Sequence, residues 1–297
     1  MQIYKGALFV ISAAMLWGTT GTLQALMPVS RDPLVVATLR VIIASIALAL
    51  FLVVKKKFMP TKYSFRLTKG SFAVLFIAGI SIAVYNMAFF SGVSRAGVAM
   101  GTAFALGTGP IWVSALYLII GGVLPPWKIV LGQALAIGGL FVMLDVGQIS
   151  DDAALGIFFS TIAGLFYAIF SISTRHLSLT YSPFITTSGT FIFASLLMSP
   201  ILISRNLTWI DYNTLYLLGI LGILSTAVAF VLFSQGLSLM KPPIALSLAF
   251  AEPLTAWLLA IFIIGETATQ VQIFGGFLLL AGLLVVLLNQ RDSYEAI

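Results

Sequence analysis

A single carboxylate stands in the middle of a long apolar run near the C-terminal end of the sequence. Glu252 lies between Leu246 and Glu266, in a stretch that is otherwise almost entirely apolar. An ionisable side chain inside hydrocarbon costs roughly 3 kcal/mol, so it persists where it faces a cavity or a partner. We therefore favour a cation site, for a proton, an ion or an ammonium group. The alternative left open is a protonated carboxyl group that bonds a neighbouring helix.

Two prolines lie inside apolar runs, one in each half of the sequence. Pro253 directly follows Glu252 and has no N–H, so the carbonyl of Ala249 loses its helical partner and is predicted to join the site. Gly109 and Pro110 in "ALGTGP" predict a matching helix break that would help gating. Close helix packing through small residues explains these glycines equally well.

One arginine lies inside the second apolar run. Arg40 follows Pro33 by seven residues, which is about 10 Å of helix at 1.5 Å per residue. It could bind a substrate carboxylate through two parallel hydrogen bonds, or form an ion pair with Glu252. A third interpretation, in which its long side chain reaches back to the membrane interface, also stays open.

Aromatic and neutral polar residues complete the candidate binding site. Aromatic rings can cover an ammonium group by cation–π contact, and amides and hydroxyls supply hydrogen bonds. Each of these residues alone is more often a packing or interhelical contact. The candidates are Trp17, Tyr85, Asn86, Thr108, Tyr167 and Trp257.

The composition requires lipid around these residues. Of 297 residues, 60% are hydrophobic and 8% are charged, with a mean hydropathy of +1.12, whereas soluble domains carry about 25% charged residues. The absence of cysteine excludes disulfides, thiolate nucleophiles and zinc–cysteine sites. The single histidine argues against a histidine-rich metal site. The net charge of +6 comes from short loops, so no nucleic-acid partner is expected.

The chain divides into ten apolar runs of spanning length, joined by short loops. A membrane helix needs about 20 mostly apolar residues, and the first run is interpreted as a span rather than a cleaved signal peptide. The sequence thus predicts an all-α integral membrane protein with ten transmembrane helices. The candidate spans are roughly 4–27, 33–54, 70–93, 97–121, 127–146, 153–176, 183–204, 213–238, 242–264 and 270–289.

The basic residues predict the orientation, because Lys and Arg accumulate in cytoplasmic loops. With the N-terminus in the cytoplasm, eleven basic residues lie on that side and three on the other, and Arg40 lies within a span. Both termini are therefore predicted to be cytoplasmic. The cytoplasmic set is Lys5, Lys55, Lys56, Lys57, Lys62, Arg66, Lys69, Lys128, Arg175, Lys241 and Arg291, and the opposite set is Arg31, Arg95 and Arg205.

The two halves of the sequence resemble one another. A shift of 150 residues aligns the segments that begin at Gly6 and Gly156, and a shift of 143 places Pro110 on Pro253. Five spans per half is an odd number, so the second half must be inverted in the membrane. The prediction is two inverted five-helix repeats, 1–148 and 149–297, around a central cavity. Inverted repeats are typical of transporters.

These features together resemble the drug/metabolite transporter superfamily, in its EamA-type branch. The resemblance rests on "MLWGTTGTL" in span 1, "ATLRVIIASIAL" in span 2, "GTGP" in span 4 and "AEPLTAW" in span 9. Within this branch, the sequence is similar to bacterial exporters of the threonine/homoserine type. This similarity implies export of an amino acid or related metabolite by alternating access. Glu266 closes span 9, whereas the aligned position of span 4 is Val123, so the two gates are expected to differ.

The expected function is secondary transport of a small polar metabolite across a bacterial inner membrane. No Walker-type motif is present, so a gradient of protons, ions or substrate would supply the energy. The expected partners are the substrate, membrane lipid and a coupling proton or cation at Glu252, with no cofactor, and the protein is expected to be a monomer or weak dimer. The alternatives are an importer of a sugar, amine or carboxylate, an intramembrane enzyme, and a channel.

Overall fold

The structure, a computed structural model, describes residues 2–58, 67–121, 124–144 and 152–290. Within these ranges, nine helical segments are long and apolar enough to cross a membrane, and Trp127–Val142 is a shorter apolar helix. The predicted all-α membrane fold with ten helical elements is therefore confirmed. Val123, the Lys62–Arg66 part of the basic loop and Asp151 lie outside the described residues.

The helices follow one another in the order of the ten predicted runs. The eighth and ninth runs are each built from several helical pieces, the seventh adds the short 3-10 helix Ser199–Ser204 to its α-helix, and the others are single helices. The first five are α1 Gln2–Ala25, α2 Pro33–Phe58, α3 Lys69–Ala96, α4 Val98–Gly121 and α5 Trp127–Val142. The second five are α6 Ala153–Ser178; α7 Pro183–Met198, extended by a 3-10 turn; α8 Tyr212–Gly222 with a π segment Ile223–Val228 and α9 Ala229–Leu239; α10 Pro242–Leu248 with α11 Ala251–Leu259 and a π segment Ala260–Ile264; and α12 Gln270–Asn289.

Local sequence signals determine where several helices begin and end. The Asp211 carboxylate caps α8 by accepting the backbone N–H of Thr214 at 2.8 Å. Hydrogen bonds from the side chain and the backbone of Thr214 lower the pKa of the Asp211 carboxyl group. Thr269 and Gln272 form a capping box at the start of α12. The ninth span ends at Gly265, whose φ of 83° is a left-handed conformation that favours glycine.

Glycines of α5 and α12 meet in a reciprocal pattern. A Cβ atom added to Gly132 would lie 2.9 Å from the carbonyl oxygen of Gly282, and one added to Gly139 would lie 2.6 Å from that of Gly275. The sequence repeat aligns Gly132 with Gly275 and Gly139 with Gly282. Exchanging the two halves therefore converts one contact into the other, which is the arrangement that an inverted repeat requires.

Serines in α2 and α7 meet in the same way. Ser45 and Ser195 are 150 residues apart, which is the shift that aligns the two halves. The Ser195 hydroxyl donates to Ser45 Oγ at 3.2 Å. Related residues can touch each other only near the axis that exchanges the halves, so α2 and α7 cross close to that axis.

The two prolines have different effects on their helices. The ninth span is interrupted at Ala249 and Phe250, and Pro253 falls in the first turn of α11, where a missing N–H costs no helical bond. The predicted break at Gly109 and Pro110 is wrong, because α4 runs without interruption through both residues. In a membrane helix, packing neighbours allow the helix to continue past a proline.

Candidate functional site

Residues from five of the helical spans converge on one site inside the bundle. Arg40 from α2, Tyr85 from α3 and Glu252 from α11 interact electrostatically with one another. Tyr167 from α6 interacts with Tyr85 and Glu252. Trp17 from α1 contacts the Tyr167 ring, with centroids 6.1 Å apart. The structure thus brings together five residues that the sequence selected separately.

Arg40 points into the protein and does not reach the membrane interface. Its side chain is 5% exposed, and its Nε and Nη2 atoms donate to Asn86 Oδ1 at 3.2 and 2.6 Å. The Asn86 amide in turn donates to the Ile82 carbonyl at 2.8 Å. The Arg40 Cζ atom lies 5.2 Å from the centre of the Phe90 ring. The buried interpretation of Arg40 therefore replaces the interfacial one.

Glu252 keeps solvent-accessible surface although the other charged residue of the site is buried. It lies ten residues after Pro242, which is about 15 Å of helix at 1.5 Å per residue. Glu252 and Arg40 attract each other without direct contact. The ion pair found within 4.0 Å among the described residues is a different one, between Arg205 and Asp32. Neither Glu252 nor Arg40 is therefore neutralised by direct contact with the other.

The Ala249 carbonyl has found one backbone partner, and its predicted part in the cation site stays a prediction, since its oxygen keeps a second lone pair. Because Pro253 has no N–H, this oxygen loses its normal helical partner. The chain compensates by turning, and the backbone N–H of Glu252 donates to the Ala249 carbonyl at 2.9 Å. The break therefore sets the direction in which α11 carries Glu252, and the carbonyl is already hydrogen-bonded.

Two glycines allow the helices to bring the charges into place. A Cβ atom on Gly18 would lie 2.8 Å from the Glu252 carbonyl oxygen, so only glycine lets α1 approach α11 this closely. A Cβ atom on Gly222 would lie 2.6 Å from Ile43 and 3.2 Å from the Arg40 carbonyl oxygen. These close approaches fix the backbones that carry Glu252 and Arg40.

The aromatic residues of the site offer donors that have no protein partner. Trp17 is 6% exposed and Tyr167 is 3% exposed, yet the Trp17 Nε1 and Tyr167 hydroxyl atoms have no hydrogen-bond partner within the described chain. A buried donor without a partner costs about 1–3 kcal/mol. Tyr85 lies against Tyr167, with ring centroids 5.5 Å apart. A ligand or water could satisfy both donors.

Two predicted ligands face other parts of the structure. Thr108 lies against Gly164 of α6, and its hydroxyl donates to the Phe104 carbonyl at 2.6 Å. The Trp257 ring lies over Gly276 of α12, 3.2 Å from the position of an added Cβ atom. These contacts show that Thr108 and Trp257 take part in helix packing, and their predicted role in substrate binding stays a prediction.

The Gly109–Pro110 segment lies beside the site. A Cβ atom on Gly109 would lie 3.5 Å from both the Tyr167 ring and the Leu246 side chain. Pro110 is buried within the continuous α4 helix. The segment therefore forms a smooth wall next to Tyr167.

An open vestibule of about 580 Å³ lies at one end of the bundle, above Arg40. Phe90 belongs both to this vestibule and to the contact with Arg40. Across its rim, Arg205 donates to Asp32 at 3.1 Å. The lining residues are Ser30, Asp32, Pro33, Leu34, Phe90, Ser91, Ser94, Arg95, Asp152 and Arg205.

Aromatic rings fill the bundle on the other side of the site. Tyr167 and Phe170 lie roughly 21 to 26 Å along α6 from its start at the vestibule, at 1.5 Å per residue. Trp17 packs on Phe230 and Phe233, with centroids 4.9 and 5.1 Å apart. We call Trp17, Tyr167, Phe170, Phe191, Phe230 and Phe233 the aromatic cluster.

Sequence reasoning missed Phe90, Gly18, Gly222 and most of the aromatic cluster. Phe90 follows Asn86 by four residues and therefore lies on the same face of α3. That spacing is a signal that could have found it. The two glycines carry no such signal, because their importance depends on which helices cross there.

The fold and the site define a polytopic helical membrane protein that carries a buried arginine and a partly buried glutamate inside its bundle, as small-molecule carriers do near their midplane. The chain belongs to the EamA-like transporter family, whose model matches residues 4–145 and again 154–288. The resemblance drawn from the sequence motifs is thereby confirmed.

Relatives and a solved structure agree with this assignment. The chain is 31% identical to "Uncharacterized transporter YwfM" of Bacillus subtilis, over 98% of this chain and 96% of the relative. It is 23% identical to "Uncharacterized inner membrane transporter YicL" of Salmonella typhimurium, over 98% of both chains. A crystal structure of another protein superposes with a TM-score of 0.78 at 15% identity, covering 97% of this chain and 98% of the other. At that identity the superposition supports the fold alone.

Proposed function

We propose that this protein is a secondary carrier that exports an amino acid or related zwitterionic metabolite across the bacterial inner membrane. The observation that carries the proposal is the placement of a basic group, Arg40, and an acidic group, Glu252, in one site without an ion pair between them. A carboxylate suits the guanidinium and an ammonium group suits the carboxylate. One small molecule with both groups would satisfy both charges.

The proposed mechanism is alternating access between two inverted halves, 1–148 and 149–297. The vestibule reaches Phe90, whose ring covers the Arg40 guanidinium, and substrate would enter from that side. The aromatic cluster closes the other side and must separate for release there. Glu252 would carry the coupling proton or cation, and the partners would be substrate and membrane lipid, with the chain acting as a monomer or weak dimer.

The proposed orientation places both termini in the cytoplasm and the vestibule outside. The inner-membrane location is supported by the name of the Salmonella relative, an inner membrane transporter. Reporter fusions in the loop before Lys69 and at Asp152 test the orientation. We expect a cytoplasmic signal from the first and an external signal from the second, and a cytoplasmic signal at Asp152 would contradict the inverted halves.

Counterflow in proteoliposomes tests the carrier proposal directly. Vesicles loaded with unlabelled neutral L-amino acids should take up external labelled amino acids faster than vesicles without protein. Chromatography of the recovered label separates a carrier from an intramembrane enzyme. Unmodified label supports the carrier, whereas a converted product or the absence of uptake contradicts it.

A further inference from the structure

Asn86 holds the Arg40 guanidinium with a neutral partner. Two N–H groups of Arg40 converge on the same amide oxygen, at 3.2 and 2.6 Å. The orientation of the amide is fixed, because its nitrogen donates to the Ile82 carbonyl at 2.8 Å. Asn86 is 1% exposed, and its oxygen has accepted as many donors as it has lone pairs. It is therefore saturated by the protein as an acceptor.

The absence of charge on Asn86 is unusual for the partner of a buried arginine. Buried charges are generally paired with opposite charges, and a carboxylate accepts the guanidinium fork more strongly than an amide does. An aspartate has the same shape as asparagine and could occupy the same place. With asparagine, Arg40 is oriented while its positive charge stays uncompensated.

The remaining surroundings of Arg40 leave that charge directed at the site. Phe90 covers the guanidinium at 5.2 Å without neutralising it. Among the described residues, the carboxylate that interacts with Arg40 is Glu252, which makes no direct ion pair with it. The site therefore carries one fixed positive charge near the vestibule and one carboxylate deeper inside.

We propose that Asn86 is the positioning residue that sets charge selectivity, because it orients Arg40 without neutralising it. This inference rests on the proposed function and adds the residue that determines its charge selectivity. The carrier selects molecules that bear a carboxylate, or another single anionic group, beside an ammonium group. Amines that lack the anionic group leave Arg40 buried and uncompensated, so they are rejected.

The test compares Asn86→Asp with the wild-type protein in proteoliposome counterflow. The probes are a mixture of neutral L-amino acids and a mixture of the corresponding L-amino acid amides, which keep the ammonium group and lack the carboxylate. The carboxylate introduced by this substitution would neutralise Arg40, so we expect amino-acid exchange to fall by at least about tenfold while amide exchange rises relative to it. A purely structural role predicts a loss no larger than that of the control below, because aspartate accepts the same two bonds from Arg40 and loses only the bond to the Ile82 carbonyl.

Asn289→Asp is the matched control. Asn289 also donates its side-chain amide to the carbonyl four residues earlier, Val285, at 2.8 Å. It lies at the end of α12, away from Arg40. Like Asn86→Asp, this variant loses a bond from a side-chain amide to a backbone carbonyl and gains one negative charge. It should exchange amino acids within about twofold of wild type.

Arg40→Gln lowers the charge of the site by the same amount and covers the case in which Asn86→Asp does not fold. It should change selectivity in the same direction. An unchanged preference for amino acids over amides, in either folded variant, would overturn the inference while leaving the carrier proposal intact. If the wild-type protein exchanges neither mixture, the carrier proposal fails and this inference fails with it.

Discussion

α4 and the ninth span carry a proline at related positions, yet only the ninth span is interrupted. α4 continues through Gly109 and Pro110, whereas the ninth span stops at Leu248 and resumes at Ala251. A proline therefore does not determine a break by itself. The break occurs in the half that carries a carboxylate, and it sets the direction of Glu252. The half with glycine provides a continuous wall beside Tyr167.

A second pair of related residues extends this comparison. The shift of 150 places Arg40 on Thr190. Arg40 lies below the vestibule and bonds Asn86, whereas Thr190 is fully buried next to Phe191, which packs on Phe230 at 4.9 Å. One half thus places a charge on the open side, and the other half places aromatic rings on the closed side. The repeated fold is symmetric, but its chemistry is not.

The largest expected effect on transport comes from changing the shape of the cationic group at position 40, in the first half of the chain. Lysine at position 40 keeps the charge but loses the planar fork that bonds Asn86 and a carboxylate. We expect Arg40→Lys to reduce amino-acid counterflow by about tenfold or more. Arg205→Lys, at the exposed rim of the vestibule, is the control and should stay within about twofold. Equal rates for Arg40→Lys and wild type would assign Arg40 a purely structural role.

The prolines should differ in their effect on transport. Pro253→Ala adds an N–H that can bond the Ala249 carbonyl and extend α11 backwards across the break. We expect counterflow to fall several-fold, because the direction of Glu252 changes. Pro110→Ala restores a donor within a continuous helix and should leave transport nearly unchanged. If both variants behave alike in counterflow, the break has no functional role.

The glycines should differ in stability. A Cβ atom at Gly18 would lie 2.8 Å from the Glu252 backbone, whereas one at Gly109 would have ordinary contacts of 3.5 Å. Gly18→Ala should therefore destabilise the fold by about 1–3 kcal/mol, and Gly109→Ala by less than about 0.5 kcal/mol. Thermal unfolding in detergent measures both. Similar melting temperatures would contradict the close packing of α1 on α11.

Much of the fold and of the candidate site can be predicted from the sequence, for physical reasons. Arg40 and Glu252 are identifiable because charges inside apolar spans are costly. Trp17 and Tyr167 are identifiable because the repeat aligns them, and they meet in the structure. The spacing of apolar runs predicts the ten helices, because the thickness of the bilayer sets their length.

Other features depend on tertiary packing and could not be predicted. Asn86 pairs with Arg40 because α2 and α3 lie side by side, which no local pattern encodes. Thr108 and Trp257 face neighbouring helices because of the rotation of α4 and α11 about their axes. The predicted break in α4 was wrong because a single lost hydrogen bond does not outweigh the packing of a buried membrane helix.

The most direct test of the central claim is counterflow against pH for wild type and Glu252→Gln at matched expression. Glutamine preserves the shape of glutamate and removes its charge and its titration. We expect Glu252→Gln to fold like wild type and to lose most of its amino-acid exchange. The residual exchange should not depend on pH. Superimposable curves for the two proteins would contradict this expectation and leave Glu252 as a structural hydrogen-bonding residue.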